Sequence, residues 1–295
     1  MALTLVELAY AKVNLCLFLG PTRDDGRHEL VTVFDSVRLT DELIVADSPS
    51  GTDEVVCAGV TGPNLVADAL AGLRAAGWAA PPVRVEIFKR IPVAAGMGGG
   101  SADAAAMLRC APRMAPVDAI AVARIAASLG ADVPGQLVPG ASLGTGAGDA
   151  IEPLGRLEPY GVLVLPQPFS LSTAEVYREA DRLGVGRSAS ELAHLGAQVR
   201  GALPGTLPEA LAVNDLEKAS LSLRPGLGEV LHAALEAGAD RAMVCGSGPT
   251  VIGIFLGEGA GRRARAAAAD EALQARFPGA VGASPFHSAQ SGLRL

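Results

Sequence analysis

The chain of 295 residues has little positive charge and no cluster of basic residues. Its 24 lysines and arginines are outnumbered by 31 aspartates and glutamates, which gives a net charge of -7. Because binding to a nucleic-acid backbone requires clustered basic side chains, this composition argues against a nucleic-acid-binding surface. An anionic ligand would have to be bound by local features such as backbone amides and helix ends.

The chain also lacks paired cysteines and long apolar segments. Its four cysteines are far apart and include no Cys-x-x-Cys pair, so the sequence predicts neither a zinc site nor a disulfide framework, and we expect reduced thiols. No stretch reaches the roughly 18 apolar residues that a membrane span requires. The N-terminal segment lacks the basic start and apolar core of a signal peptide. We therefore predict a cytoplasmic protein without a membrane partner.

Glycine, in contrast, is abundant, and four glycines fall within residues 96–100. An alternating strand pattern precedes them, and an alanine-rich helix pattern follows Ser101. In the order strand, glycine loop, helix, several backbone N–H groups and the helix dipole point at one place, which suits a phosphate group. The stretch fits neither G-x-G-x-x-G nor G-x-x-x-x-G-K-[ST]. It is therefore either a different phosphate loop or a tight turn, and Ser101 would cap the helix, bind a phosphate-linked metal ion or do both.

Strand and helix patterns are mixed along the rest of the chain, which predicts the α+β class. We place two domains at residues 1–155 and 156–295. Apolar residues at helical spacing predict a helix at 64–77, and the short segment 131–137 is expected to be a turn. Residues 183–208 are rich in Gly, Pro and Ser, so we expect a surface excursion outside the core.

Several sequence blocks resemble those of one kinase superfamily. The segment "PVAAGMGGGSADAA" at 92–105 resembles the P-x-x-x-G-x-G-x-x-S phosphate loop of the GHMP kinases. The blocks at 9–19, 25–30 and 130–134 are similar to those of the members that phosphorylate 4-diphosphocytidyl-2-C-methyl-D-erythritol, and 244–255 resembles their glycine-rich C-terminal motif. The blocks span most of the chain in the order found in the family.

The resemblance implies a fold, two cosubstrates and a set of binding residues. The fold would be a two-lobed GHMP kinase fold, with an N-terminal lobe like the second domain of ribosomal protein S5 and a ferredoxin-like C-terminal lobe. The chain would use ATP and Mg²⁺ to phosphorylate the 2-hydroxyl of a small molecule that carries a cytidine diphosphate group, in the non-mevalonate route to isoprenoid precursors. We expect a monomer or homodimer. The implied ATP-binding residues are Pro92, Val93, Ala94, Ala95, Gly96, Met97, Gly98, Gly99, Gly100, Ser101 and Ala102, and Ser101 would also ligate the metal.

Two residues are candidates for catalysis. The chain contains only three lysines, Lys12, Lys89 and Lys218, and Lys12 lies inside an otherwise apolar strand. A buried ammonium normally requires a partner, so Lys12 is either a catalytic group or half of a structural ion pair. Asp132 precedes Pro134 in a position where a carboxylate also serves as a cap. By the resemblance, Asp132 is the catalytic aspartate that accepts the hydroxyl proton, and Lys12 is its partner lysine.

Asn14 and His28 match substrate contacts of the family. Strand alternation puts Asn14 on the same face as Lys12. The ring nitrogens of His28 donate and accept hydrogen bonds, which suits the edge of a cytosine base, although a surface loop histidine is the alternative. In the C-terminal motif, the stretch 246–250 is either a hairpin turn or a phosphate-binding turn. Further upstream, Asn214 and Asp215 either bind substrate or cap a helix, the role we favour.

The chain departs from the family pattern around the base-binding residues. Arg27 occupies a position where tyrosine is usual, and Gly135 and Gln136 stand where aromatic residues are common. We expect Arg27 to stack on the base through its planar guanidinium and Tyr177 to supply the opposite ring. Because of these departures, two alternatives stay open for the chain. It is either a GHMP kinase that acts on a different small alcohol or a catalytically inactive nucleotide-binding homologue.

Overall fold

The computed structural model describes residues 4–257 and 261–286. The ends of the two predicted domains, residues 1–3 and 287–295, and the short segment 258–260 lie outside the described residues. The strands are β1 (Thr4–Thr22), β2 (His28–Asp47), β3 (Glu54–Cys57), β4 (Val83–Phe88), β5 (Ser142–Thr145), β6 (Ala150–Pro153), β7 (Gly161–Leu165), β8 (Arg241–Val244), β9 (Val251–Phe255) and β10 (Val281–Ala283). The helices are α1 (Leu65–Ala75), α2 (Gly99–Met114), α3 (Ala119–Leu129), α4 (Asp132–Gln136), α5 (Thr173–Leu183), α6 (Ala189–Ala202), α7 (Glu217–Leu223), α8 (Leu227–Glu236) and α9 (Gly261–Leu273).

The chain divides into two compact units that are not continuous in sequence. Unit 1 contains the described residues up to Ala11 together with Leu39–Val93 and Gly98–Pro139. Unit 2 contains Lys12–Arg38, Ala94–Met97 and the described residues from Gly140 onwards. The long strands β1 and β2 and the glycine loop each contribute residues to both units. The predicted boundary at residue 155 divides the chain into two continuous segments and so differs from these two units. It stays a prediction.

Unit 1 combines a small sheet with helices α1 to α4. Strand β4 pairs antiparallel with the C-terminal half of β2 and parallel with β3. Helix α1 packs on α2 and α3, and α2 packs on α4. The predicted helix at 64–77 is confirmed, and Asn64 caps it by accepting a hydrogen bond from the backbone N–H of Val66 at 2.9 Å. The predicted turn at 131–137 is wrong, because residues 132–136 form the short helix α4, whose first turn tolerates Pro134.

Unit 2 contains two groups of strands. The N-terminal half of β2 pairs antiparallel with β5, which forms a hairpin with β6. A separate four-stranded antiparallel sheet has the order β10-β7-β9-β8, with helices α5 to α8 between β7 and β8 and helix α9 between β9 and β10. This βαββαβ order is the ferredoxin-like topology, which confirms the expectation for the C-terminal part of the chain.

Most residues of the segment 183–208 are exposed, as its composition predicts, but the expectation that the segment lies outside the core is wrong. It contains helix α6, which begins with a capping box between Ser188 and Glu191. The side chains of Leu192 and Val199 on this helix are buried. Gly196 of this helix is also buried and lies against Val31 of β2, where a Cβ would make an ordinary contact at 3.4 Å from Val31 Cγ2. The capping box was the signal in the sequence that the Gly, Pro and Ser content obscured.

The expectation of free thiols is confirmed. All four cysteines are free, with Cys57 half-buried and the others buried. Burial raises the pKa of the Cys16 thiol to about 12, which makes this thiol a poor nucleophile. Within residues 4–257 and 261–286, no helix is both long enough and apolar enough to cross a membrane.

Asp35 should make the stability of the protein depend on pH. Its side chain is 2% exposed and accepts a hydrogen bond from the hydroxyl of Tyr160 at 2.9 Å. Burial raises the pKa of Asp35 to about 7, although the Tyr160 hydrogen bond opposes this. Because the folded-state pKa exceeds the unfolded value, stability should be highest when Asp35 is protonated and should fall as pH rises from about 4 to about 7.

We expect Asp35→Asn to remove this loss of stability. Relative to the wild type, the free energy of unfolding of the variant should rise by about 2 kcal/mol between pH 5 and pH 8. Urea unfolding at the two pH values measures this difference, and Asp24→Asn in an exposed loop controls for the loss of one carboxylate. A difference that does not change with pH would show that Asp35 does not titrate in this range.

Candidate active site

Lys12 lies on β1 in unit 2, in a chain of buried hydrogen bonds. Its Nζ donates to Asn14 Oδ1 at 2.8 Å, Asn14 Nδ2 donates to Thr32 Oγ1 at 2.9 Å, and Thr32 Oγ1 donates to the carbonyl of Cys16 at 2.7 Å. The predicted placement of Lys12 and Asn14 on one strand face is therefore confirmed. Since Thr32 determines which end of the Asn14 amide faces Lys12, the ammonium is oriented by its own unit.

The glycine loop has a backbone conformation that few side chains allow. Residues Ala94, Gly96 and Gly98 have positive φ angles of 55°, 76° and 66°. Helix α2 begins at Gly99, and its N-cap is Gly98, which makes no side-chain hydrogen bond. Ser101 lies in the first turn of α2 and is not the cap. The first N–H groups of α2 thus have no side-chain cap, a geometry that suits an anion such as phosphate.

The loop is anchored by small buried side chains on either side of its glycines. Ala95, Met97 and Ala102 are buried, Val93, Ala94 and Gly100 are exposed, and Pro92, Gly96, Gly98, Gly99 and Ser101 are intermediate. Within unit 2, the backbone N–H of Lys12 donates to the carbonyl of Met97 at 3.0 Å. This bond ties the strand that carries the candidate catalytic lysine to the loop.

The glycine-rich C-terminal motif packs against the same loop in unit 2. The turn between β8 and β9 is closed by a hydrogen bond from Cys245 N to Thr250 O at 2.8 Å, so the hairpin interpretation is confirmed. A Cβ on Gly96 would lie 2.7 Å from the carbonyl oxygen of Cys245 and 2.9 Å from that of Gly248. Glycine is required at position 96 because two backbone carbonyls approach it closely.

A buried cluster of charges in unit 1 lies beside the start of α2. Lys89 Nζ donates to Asp41 Oδ2 and to Asp103 Oδ2, the latter at 2.8 Å, and Asp41 Oδ1 also accepts from the backbone N–H of Ile91 at 2.7 Å. A Cβ on Gly99 would lie 3.2 Å from Lys89 Nζ. Burial raises the pKa of Asp103, and Lys89 opposes that rise. This cluster fixes both ends of the glycine loop, and sequence patterns did not identify it.

Asp132, the other candidate catalytic residue, is the first residue of α4 in unit 1. Helix α4 is attached to α2 by Arg109, whose Nη1 donates to the carbonyl of Gln136 at 2.7 Å. The same guanidinium donates to the Glu7 carboxylate at 2.9 Å through Nε. Asp132 therefore stands at the start of a helix held by the half-buried Arg109, and its partnership with Lys12 stays a prediction.

Two of the predicted substrate residues lie together in unit 2. The rings of His28 and Tyr177 have centroids 5.3 Å apart and are tilted by 42°. His28 is 9% exposed, and its Nε2 lies 2.8 Å from Asp181 Oδ1. Arg27 is placed differently, because its guanidinium pairs with Asp25 and Asp149 at 3.0 Å each and its side chain is 53% exposed.

Within residues 4–257 and 261–286, no group of three or more His, Cys, Asp or Glu side chains could hold a metal ion. Mg²⁺ in kinases is commonly bound by one or two protein oxygens together with substrate phosphates. Ser101, in the first turn of α2, has a hydroxyl oxygen of that kind.

Family comparisons agree with this fold. The GHMP kinases N terminal domain family matches residues 64–145, and the GHMP kinases C terminal family matches residues 199–278. A 4-diphosphocytidyl-2-C-methyl-D-erythritol kinase from Nocardioides sp. is 40% identical over 278 residues, which cover 89% of this chain and 91% of that protein. The chain therefore belongs to the GHMP kinase family.

Other relatives and solved structures give the same result. The protein of the same name from Salinispora tropica is 40% identical over 275 residues, covering 89% of this chain and 86% of that protein. A crystal structure of 4-(cytidine 5'-diphospho)-2C-methyl-D-erythritol kinase has a TM-score of 0.76 and 34% identity, over 95% of this chain and 99% of that one. L. major mevalonate kinase, at 15% identity and a TM-score of 0.68 over 97% of both chains, shares the fold.

Proposed function

We propose that this chain is an ATP-dependent kinase that phosphorylates the 2-hydroxyl of 4-diphosphocytidyl-2-C-methyl-D-erythritol, a step toward isoprenoid precursors. The observation that carries the proposal is similarity along almost the whole chain to kinases of that name, at 40% identity over 89% of its length. The buried Lys12 and the positive φ angles of the glycine loop support it independently, because phosphoryl transfer requires a fixed cation and a phosphate-binding backbone.

In the proposed reaction, each residue has one role. Asp132 accepts the proton of the attacking hydroxyl, and Lys12, oriented through Asn14 and Thr32, stabilises the negative charge that develops on the attacking oxygen. The N–H groups at the start of α2 bind the phosphate oxygens of ATP. The Ser101 hydroxyl would hold Mg²⁺, which would supply neutralisation of the phosphate charge.

We propose that His28 and Tyr177 form the base-binding part of the site. Tyr177 presents an aromatic face on which a base can stack, and the adjacent His28 has ring nitrogens that form hydrogen bonds. Both features suit a cytosine. Arg27 remains a predicted contact, and its ion pairs with Asp25 and Asp149 keep its guanidinium in an exposed loop. The cytoplasmic location, the lack of a nucleic-acid partner and the monomeric or homodimeric state also stay predictions.

Substrate selection by the purified protein tests the proposed function. ADP production is measured with ATP and Mg²⁺ on the cytidylyl substrate, mevalonate, phosphomevalonate, homoserine and galactose. Turnover of the cytidylyl substrate alone is the expected result. Turnover of another alcohol would point to a GHMP kinase with a changed substrate. ATP binding without turnover of any acceptor would point to a nucleotide-binding homologue.

Tyr177→Ala should weaken binding of the cytidylyl substrate selectively. Stacking of a base on an aromatic ring contributes about 1–3 kcal/mol, so KM for this substrate should rise by about tenfold or more. The KM for ATP should stay within about twofold, since the ring pairs with His28 and no role toward ATP is proposed for it. Tyr177→Phe, which keeps the ring, is the matched control. Equal increases of both KM values in the alanine variant would place the ring outside the base site.

A further inference from the structure

The turn between β8 and β9 contacts the candidate catalytic lysine as well as the glycine loop. Gly246 in this turn has a φ angle of 57°, and a Cβ there would lie 3.2 Å from Asn14 Oδ1 and 3.5 Å from Lys12 Nζ. The neighbouring Cys245 presents its carbonyl to Gly96. All of these residues belong to unit 2. The position of the turn therefore limits where both the ammonium and the loop can be.

The buried amide of Asn214 donates to two carbonyls at the start of this turn. Asn214 is 6% exposed, and its Nδ2 donates to the carbonyl of Val244 at 2.8 Å and to the carbonyl of Gly246 at 2.7 Å. Its Oδ1 accepts from the backbone N–H of Leu216 at 3.0 Å. Both amide protons and the amide oxygen are thus used, and the two carbonyls that Asn214 holds lie on either side of Cys245.

The backbone around Asn214 is attached to the strand that carries Lys12. Leu17 N donates to Val213 O at 2.8 Å, and Asp215 N donates to Leu17 O at 2.9 Å. Asn214 therefore forms a parallel bridge to Leu17 on β1. The backbone around Asn214 is bonded to β1, which carries Lys12, and its side chain is bonded to the turn, so Asn214 sets the distance between the two. The favoured interpretation of Asn214 as a helix cap is wrong, because the N-cap of α7 is Leu216 and no side chain caps this helix.

We propose that Asn214 is a positioning residue for phosphoryl transfer. By holding the carbonyls of Val244 and Gly246, it fixes the turn against Lys12 and Gly96 and so sets the position of the catalytic ammonium relative to the phosphate loop. This inference rests on the proposed function for its kinetic consequence. Its structural consequence, a dependence of the Lys12 environment on Asn214, can be measured whether or not the chain is a kinase.

Asn214→Asp is the variant that tests the proposal, because it keeps the size of the side chain and removes both donors. We expect kcat to fall by about 10²-fold, since small misplacements of catalytic groups have effects of that size, while KM for the alcohol substrate stays within about threefold. Ser220→Ala is the matched control. Ser220 is buried in the same unit, and its hydroxyl donates to the carbonyls of Leu216 and Ser247 at 3.1 and 3.3 Å.

The control variant should lose thermal stability without a comparable loss of kcat. If both variants lose kcat in proportion to stability, Asn214 has only a structural role and the proposal is overturned. If a folded Asn214→Asp protein keeps kcat within about threefold of the wild type, the proposal is also overturned. Asn214→Gln, which restores both donors on a longer side chain, should recover part of the lost kcat.

A spectroscopic measurement separates this proposal from the proposed function. Because the chain contains only Lys12, Lys89 and Lys218, protein labelled with ¹³C at the lysine ε position gives three assignable signals. The Lys12 signal should shift in Asn214→Asp and not in Ser220→Ala, and the Lys89 signal of unit 1 should stay unchanged in both. An unshifted Lys12 signal in a folded Asn214→Asp protein would contradict the proposal even if the protein is an active kinase.

Discussion

Asp132→Asn is expected to lower kcat for phosphoryl transfer by about 10²- to 10⁴-fold, the range that a positioned general base contributes. The substitution keeps the size of the side chain and removes only its ability to take a proton. KM for both substrates should change little, because Asp132 is proposed to act on the hydroxyl only as it reacts and not in substrate binding. Steady-state kinetics with saturating ATP measure the effect.

The control for this variant is Asp118→Asn. Asp118 caps helix α3 in the same unit through hydrogen bonds to the backbone N–H groups of Ile120 and Ala121, and asparagine also serves as a cap. The control should retain the wild-type kcat. A similar kcat in both variants would remove Asp132 from the reaction and would leave Lys12 as the main source of catalysis.

Gly96→Ala is expected to reduce kcat/KM for ATP by about 10²-fold or more and to lower stability by about 2–5 kcal/mol. The added methyl group would lie 2.7 Å from Cys245 O and 2.9 Å from Gly248 O, and both neighbours are backbone atoms that cannot rotate away. Either the glycine loop or the β8–β9 turn must move. Both movements displace groups that the proposed mechanism requires.

Gly51→Ala separates crowding from backbone strain in this prediction. Gly51 has the same φ angle of 76° as Gly96, but a Cβ at that position would meet nothing within 4 Å. The control should lose only about 1–2 kcal/mol of stability, which is the cost of an alanine in the left-handed conformation, and should keep wild-type kinetics. If the two alanine variants had the same stability and the same kcat/KM, close packing at Gly96 would not matter for ATP use.

Local sequence signals predicted much of the fold. The alternation in β1 placed Lys12 and Asn14 on one face, and Asn64 marked the start of α1. Helix α6 was missed because Gly, Pro and Ser content outweighed its capping box. Helix α4 was missed because a proline in a five-residue segment also fits a turn.

The candidate site could be predicted only where its residues belong to motifs. The glycine loop and the C-terminal motif were each recognisable, but their contact through Gly96 requires the folded unit 2. Likewise, Asp41, Lys89 and Asp103 come from β2, the end of β4 and α2, so no spacing in the sequence connects them. Asn214 resembles an ordinary cap until the two carbonyls that it holds are known.

Proton-coupled ³¹P NMR of the reaction product tests the central claim most directly. Carbon 2 of the 2-C-methylerythritol group carries a methyl group and a hydroxyl and no hydrogen, so a phosphate transferred to its oxygen has no hydrogen on the attached carbon. The account predicts one new phosphomonoester signal, equal in amount to the ADP formed and without three-bond coupling to protons. A new signal split by protons would place the phosphate on another hydroxyl, and ADP formed without a new monoester would contradict phosphoryl transfer to this substrate.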